Sequence, residues 1–335
     1  MGYLIDKDAK VAVIGHGSWA TALVKILLEN EKQVGWYVRN PEVLEYLRTE
    51  KRNPKYLCDV DFEGCDIAPS DDLNEVVSRA DVLVLAIPSA YLKSALSPLT
   101  VPLDGKFILS AIKGIVPDDY TTVAEYLNSR YGLPFERIGI VTGPCHAEEV
   151  ALERLSYLTV VSKDIENARV LCTKIASRYI NATPSTDIYG TEYAAVLKNI
   201  YALAVGIAVG LGYGDNFLAV LISNGAMEMS RFMSRTFPTE RDTNASAYLG
   251  DLLVTSYSKF SRNRTFGVMI GKGYSVKATM MEMNMVAEGY FAANCIHIIN
   301  ARHGVQMPIA EAVYDILYQR ASPARTMQAL TKKLI

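Results

Sequence analysis

The chain has 335 residues, half of them hydrophobic and 21% charged, with a formal net charge of −2. That length supports a sizeable core and about two domains of roughly 150 residues each. A near-neutral chain has no basic field with which to gather nucleic acid or anionic lipid, so the expected partner is a small molecule and any anion must be held by a local cluster.

The opening MGYLIDKDAK mixes acids and bases before any apolar run and does not read as a signal peptide, and Asp6 stands where a myristoylation signal carries Ser or Thr. Cys58, Cys65, Cys145, Cys172 and Cys295 form no C-x-x-C pair, and their odd count argues against a disulfide framework. A reducing, cytoplasmic compartment is expected. His16, His146, His297 and His303 show no ligand spacing, so no metal site is expected.

In chain order, residues 10–14 (KVAVI), 33–38 (QVGWYV), 81–87 (DVLVLAI), 106–110 (KFILS), 137–141 (RIGIV) and 157–161 (YLTVV) read as strands. Their nearly continuous apolar character implies burial on both faces, as in a parallel sheet covered by helices. The expected fold is an α/β Rossmann-type, doubly wound parallel sheet domain over residues 1–187, followed by an all-α domain over residues 188–335. In the second part long helical patterns cover residues 192–211, 216–233 and 281–302, and the polar stretch 238–246 reads as a loop. The one stretch apolar enough to suggest a membrane span, 199–221, is broken by GYGDN at 212–216, so two helices are expected and not an integral membrane protein.

Gly15-His16-Gly17-Ser18-Trp19-Ala20 follows the first strand and precedes a helix expected over 21–30. Glycines in such a turn let the backbone approach a pyrophosphate at the positive end of a helix, and alanine can take the third glycine position. The alternative is a glycine turn that only packs helix on strand. After the second strand an Asp or Glu would bind the 2′-hydroxyl of NAD, yet Arg39 stands there, which favours NADP; a solvated surface arginine is the other reading. Pro88-Ser89, Lys113-Gly114 and Gly143-Pro144-Cys145-His146-Ala147 each follow a strand at the carboxyl edge of the sheet, where ligands of doubly wound folds bind.

Between Glu192 and Asp215 the only charge is Lys198. An ammonium in an apolar helix is costly unless it is paired or its pKa falls, and such lysines often serve as acid/base groups. The alternative is a stem laid along the helix with the head in water. Ser261-Arg262-Asn263-Arg264, ten residues beyond Gly250-Asp251, combines hydroxyl, guanidinium and amide donors suited to a phosphate or carboxylate, unless it is simply an exposed helix start.

Taken together, GHGSWATAL, WYVRN, AIPS, IKGI, GPCHAEEVA, LKNIYALAVGIAVGLGYGDN, LGDLL, SKFSRNRTFG, VAEG and PIAEAVYDIL resemble, in order and spacing, the bacterial type of NAD(P)-dependent glycerol-3-phosphate dehydrogenase, over roughly residues 10–330. The resemblance implies reversible reduction of dihydroxyacetone phosphate to sn-glycerol 3-phosphate by NADPH, with NADH accepted, supplying the backbone of phospholipids. It implies that Gly15, Gly17, Ser18, Trp19, Ala20, Arg39, Pro88, Lys113, Ala147, Arg262, Val286 and Glu288 contact the dinucleotide. By the same implication Lys113, Gly143, Cys145, Lys198, Asp251, Ser261, Arg262 and Asn263 surround the substrate, with Lys198, Lys113 and Asp251 catalytic and Lys198 the proton donor and acceptor. A homodimer is one assembly it allows. Cys145-His146 departs from the usual Ser-Phe, and a thiol is the weaker donor; SNGAMEM after Ile222 departs from T-R-G-L, with packing the expected consequence. Two other readings share parts of this pattern. Another Rossmann-plus-helical dehydrogenase, acting on a small hydroxy or keto acid, would use the same glycine loop, and a non-catalytic dinucleotide sensor would need no isolated lysine.

Overall fold

The structure, a computed structural model, describes residues 3–283 and 287–335. Of the residues singled out above, Val286 lies outside the described ones. The chain divides into two compact units: Met1–Ile112 with Val123–Ile188, and Lys113–Thr122 with Tyr189–Ile335.

The first unit is built on eight strands: β1 (Val11–Ile14), β2 (Gln33–Tyr37), β3 (Asp66–Ser70), β4 (Val82–Leu85), β5 (Phe107–Ser110), β6 (Ile138–Thr142), β7 (Ser156–Ser162) and β8 (Ile180–Ser185). They lie in the order β3-β2-β1-β4-β5-β6-β7-β8. The first six thus have the order of a dinucleotide-binding sheet, which reverses between β1 and β4. Every residue of β1, β4 and β5 is buried, as their unbroken apolar sequences require of strands covered on both faces.

The expected parallel sheet is present, with one exception: β7 runs antiparallel to β6, while the other neighbouring pairs are parallel. The connection explains this. A parallel crossover must return the chain along the full strand, but the only helix between β6 and β7 has five residues, about 7 Å of rise against ~16 Å of strand. The strands unrecognised in the sequence, β3 (DIAPS) and β8 (INATPS), are the two edges of the sheet. Each contains a proline, which an edge tolerates, and is only partly buried, so neither shows a strand's apolar run.

The helices of this unit are α1 (Ser18–Leu27), α2 (Pro41–Thr49), α3 (Leu73–Arg79), α4 (Leu92–Leu96), α5 (Val123–Tyr131), α6 (Ala147–Ala151) and α7 (Ile165–Ile175). α1 starts at Ser18, directly on the glycine loop and three residues before the expected start.

The second unit is helical: α8 (Ile188–Gly210), α9 (Asp215–Thr236), α10 (Asp251–Tyr257), α11 (Arg262–Gly271), α12 (Val276–Glu282), α13 (Glu288–His303), α14 (Pro308–Tyr318) and α15 (Pro323–Thr331). By length and composition α8 could cross a membrane, but 89% of its apolar window is buried inside the protein. A helix apolar on all sides is here the core of its unit. GYGDN does separate α8 from α9. The single helix expected over 281–302 is corrected: α12 ends at Glu282 and α13 begins at Glu288.

Glycines set how closely these helices approach. A Cβ on Gly206 would lie 2.1 Å from the Arg264 carbonyl oxygen, and one on Gly267 would lie 2.3 Å from that of Leu203. Gly210 and Gly271 repeat the arrangement one turn on, at 2.4 Å from the carbonyls of Val268 and Ile207. α8 and α11 therefore touch backbone to backbone. Gly289, in the first turn of α13, is seated in the same way: a Cβ there would lie 2.6 Å from the Asn199 carbonyl oxygen. α11 thus lies along α8 from Leu203 to Gly210, and α13 meets the turn of α8 that carries Asn199. In SNGAMEM, Gly225 packs on the Tyr201 ring, but the segment does more than pack: Glu228 accepts hydrogen bonds from the backbone N–H groups of Ile309 and Ala310 in α14.

Candidate active site

Lys198 does not reach water. Its side chain is 5% exposed, and its Nζ donates to Asp251 Oδ1 at 2.5 Å and to Thr255 Oγ1 at 3.1 Å. Asp251 and Thr255 lie four residues apart on one face of α10, and Thr255 Oγ1 also donates to the Asp251 carbonyl. A π-helical turn, Ser246–Gly250, leads straight into α10, a local irregularity of the kind often found beside functional groups. The second Asp251 oxygen accepts from Lys113 Nζ at 3.3 Å, and that lysine remains 19% exposed. Lys113 belongs to the same helical unit as its partner.

Two ammoniums therefore share one carboxylate. Burial pushes Lys198 down to about 7; the attraction of Asp251 works against this, and the charge of Lys113 adds to it. Burial also works to raise Asp251, but Lys113 and Lys198 outweigh it and hold the carboxyl below its ordinary range. Lys198 thus holds a proton that is readily given up near neutrality.

A chain of amides fixes its surroundings. Asn199 donates to the Lys113 carbonyl at 2.8 Å and accepts from Asn263 Nδ2 at 2.8 Å, and Asn263 Oδ1 accepts from the Gly289 N–H at 2.9 Å. Asn263 is buried, and its amide carries one further N–H beyond that bond. Ser261 caps α11, accepting from the Arg264 N–H, and is also buried; its hydroxyl proton is still a donor. Arg262 follows it as the first, half-buried residue of α11, and half-buried Glu288 opens α13. Lys113, Lys198, Asp251 and Asn263 are thus joined through one run of hydrogen bonds that passes by Asn199, with Ser261 and Arg262 adjoining Asn263 in sequence. Thr255 was missed in the sequence; its only sign there is the i, i+4 spacing from Asp251.

The remaining candidate residues lie in the sheet unit. Gly15 has φ of 123°, and a Cβ there would meet the Ala86 carbonyl oxygen at 2.4 Å, so glycine is required where β1 and β4 part. At Gly17 a Cβ would meet nothing within 4 Å. The protein itself gives no reason for that glycine, whereas close approach of a ligand to the backbone does. Gly17 is the N-cap of α1; no side chain caps the helix and no acid sits in its first turn, so the helix sets no carboxylate of its own against its positive end. Ser18 is buried, Trp19 lies partly buried against the core, and Ala20 is fully buried, so the third position serves helix-to-sheet packing. These features fit a dinucleotide.

Arg39 is exposed, two residues beyond β2, and among the described residues no carboxylate pairs with it. Pro88 caps a short turn after β4. Gly143 has φ of 130° and lies against the Tyr157 carbonyl, Cys145 is half-buried, and Ala147 is the buried first residue of α6.

Models of the N-terminal and C-terminal parts of NAD-dependent glycerol-3-phosphate dehydrogenase match residues 10–168 and 187–328. A glycerol-3-phosphate dehydrogenase [NAD(P)+] of Chlorobium limicola is 35% identical over 311 residues, covering 92% of this chain and 93% of that one. The Thermobifida fusca enzyme of the same name is 35% identical over 327 residues, with 97% of each chain covered. The crystal structure of a glycerol-3-phosphate dehydrogenase from Coxiella burnetii superposes with a TM-score of 0.88 at 25% identity, covering 97% of this chain and 99% of that one. With a Rossmann-type sheet, a helical second unit and relatives similar along nearly its whole length, the chain is an oxidoreductase that belongs to the NAD-dependent glycerol-3-phosphate dehydrogenase family.

Proposed function

We propose that this protein reduces dihydroxyacetone phosphate to sn-glycerol 3-phosphate, reversibly, with NADPH preferred and NADH accepted. The observation that carries the reading is Lys198, an ammonium poised near neutrality and held between a carboxylate and a hydroxyl in the core of the helical unit.

Gly15, Gly17, Ser18, Trp19 and Ala20 would hold the dinucleotide pyrophosphate on the positive end of α1, with Arg39 at the 2′-phosphate and Pro88 and Ala147 as further contacts. When bound, the reduced nicotinamide supplies a hydride to the substrate carbonyl carbon. As charge grows on the carbonyl oxygen, Lys198 stabilises it and then donates its proton. Asp251 and Thr255 restrict that ammonium to one orientation, and Lys113 adds positive charge beside the same oxygen. Ser261, Arg262 and Asn263 would bind the phosphate end and turn its binding energy into alignment.

The odd count of five cysteines with no C-x-x-C pair fits a reducing, cytoplasmic setting. The test is to mix purified protein with dihydroxyacetone phosphate and NADPH and follow the absorbance of the reduced nicotinamide. Rapid oxidation is expected, with far slower turnover of unphosphorylated dihydroxyacetone. Equal use of the unphosphorylated ketone, or turnover only of small keto acids, would overturn the substrate assignment.

A further inference from the structure

The loop that follows α2 is pinned to the glycine loop by a side chain that plays no part in the chemistry above. Asn53, fully buried, donates from Nδ2 to the His16 carbonyl and to Thr21 Oγ1, both at 2.9 Å. Its Oδ1 accepts from the backbone N–H groups of Lys55 and Tyr56, at 3.0 and 3.2 Å, folding residues 53–56 into a tight turn. The Tyr56 ring meets the His16 imidazole edge-on at 6.5 Å. The turn thereby presents Lys55 toward the start of α2, where its ammonium pairs with Glu42. Glu42 stands in the first turn of α2, three residues after Arg39.

Two cations are thus gathered at the end of β2, and both are felt at one place. Burial first, and then the charges of Arg39 and Lys55, push the His16 imidazole below its ordinary range. The Lys55–Glu42 pair is solvent-accessible, with side chains 41% and 69% exposed, so it is weakly held and easily exchanged. A dianionic phosphate beside Arg39 would compete for Lys55 against a single, well-hydrated carboxylate.

We propose that Lys55 is a second specificity-determining cation for the adenosine 2′-phosphate of the cofactor, held by Glu42 until that phosphate draws it away. The proposal rests on the cofactor reading above. It makes NADPH selectivity the work of an exchangeable ion pair as well as of Arg39.

The test is calorimetric binding of NADP+, NAD+, adenosine 2′,5′-bisphosphate and 5′-AMP to wild type, Lys55→Gln, Lys55→Arg, Glu42→Gln and the double variant, with no turnover required. Lys55→Gln should weaken NADP+ and the bisphosphate about three- to tenfold, the scale of one partly screened charge-assisted contact, and leave NAD+ and 5′-AMP within about twofold. Lys55→Arg should restore the lost affinity. Glu42→Gln should tighten NADP+ about two- to threefold, a gain absent when Lys55 is also replaced. Thermal melting of each variant, expected to stay near wild type for an exposed pair, shows that the fold is intact. If wild type binds neither dinucleotide, the cofactor reading itself fails. If both bind but the NADP+/NAD+ ratio is the same in Lys55→Gln, Lys55 plays no part in selectivity and the proposal is overturned.

Discussion

Lys198 Nζ lies 2.5 Å from Asp251 Oδ1, and fifty-three residues of sequence separate the two. An ammonium so placed has little use except in chemistry, because the same core could be filled with apolar side chains at no cost in stability. Lys198→Ala is therefore expected to lower turnover by about 10² or more while dinucleotide affinity stays near wild type. Steady-state rates and a binding titration on the same preparation check this, and near-normal turnover would remove Lys198 from the reaction.

The pH dependence follows from the burial of that lysine. With Lys198 pushed down to about 7, its proton is present below that pH and lost above it. Ketone reduction should fall with a one-proton slope as pH rises through about 7, and alcohol oxidation should rise over the same range. The unfolded lysine keeps its proton to near 10.5, so the unfolded state binds more protons between the two values and Lys198 makes stability rise with pH across that window. Rate profiles in both directions that are flat between about pH 6 and 8 would contradict the assignment.

Asp251→Asn removes the carboxylate that Lys113 and Lys198 share. Removing one member of a buried charge cluster costs about 3–5 kcal/mol, so a clear drop in melting temperature is expected. Because Asp251 raises the pKa of Lys198, the midpoint of the reduction profile should also move to lower pH. A profile that stays in place would mean that the carboxylate does not hold the catalytic proton.

Two glycines should respond in opposite ways. Gly267→Ala forces a methyl group onto the Leu203 carbonyl, where backbone cannot yield, and should destabilise by about 3 kcal/mol or more. Gly17→Ala meets no protein atom within 4 Å and should cost no more than the ~1 kcal/mol of a poorer N-cap, yet weaken dinucleotide binding. A stable Gly17→Ala protein with wild-type affinity would show that the loop does not approach a ligand.

Glu228 offers a check away from the reaction. Burial lifts its carboxyl to about 7, against the opposing N–H groups of Ile309 and Ala310. The folded state then holds a proton that the unfolded chain releases near 4.5, so stability contributed here is present below about 4.5 and is lost as pH rises through about 7, by roughly 3 kcal/mol at most. Glu228→Gln should remove that slope. The melting temperature of the variant relative to wild type should thus be higher at about pH 8 than at about pH 5, and an unchanged difference would show an ordinary carboxylate.

What the sequence determined by itself was local. The apolar runs of β1, β4 and β5, the turn chemistry of Gly15 and Gly17, and an isolated charge at Lys198 each lie within a few residues and point to a dinucleotide sheet and a helical partner with a buried ammonium. The tertiary structure decided what depends on distant neighbours. Edge strands β3 and β8 escaped notice because strands buried on one side carry little apolar signal, and β7 reversed because α6 is too short for a crossover. That Lys113 and the residues around it belong with the helices, that Thr255 completes the hold on Lys198, and that Asn53 ties Lys55 to the glycine loop could not be read from spacing. These contacts join residues far apart in the chain, and they exist only once α10 lies against the Lys198 turn of α8 and the loop after α2 folds against the glycine loop.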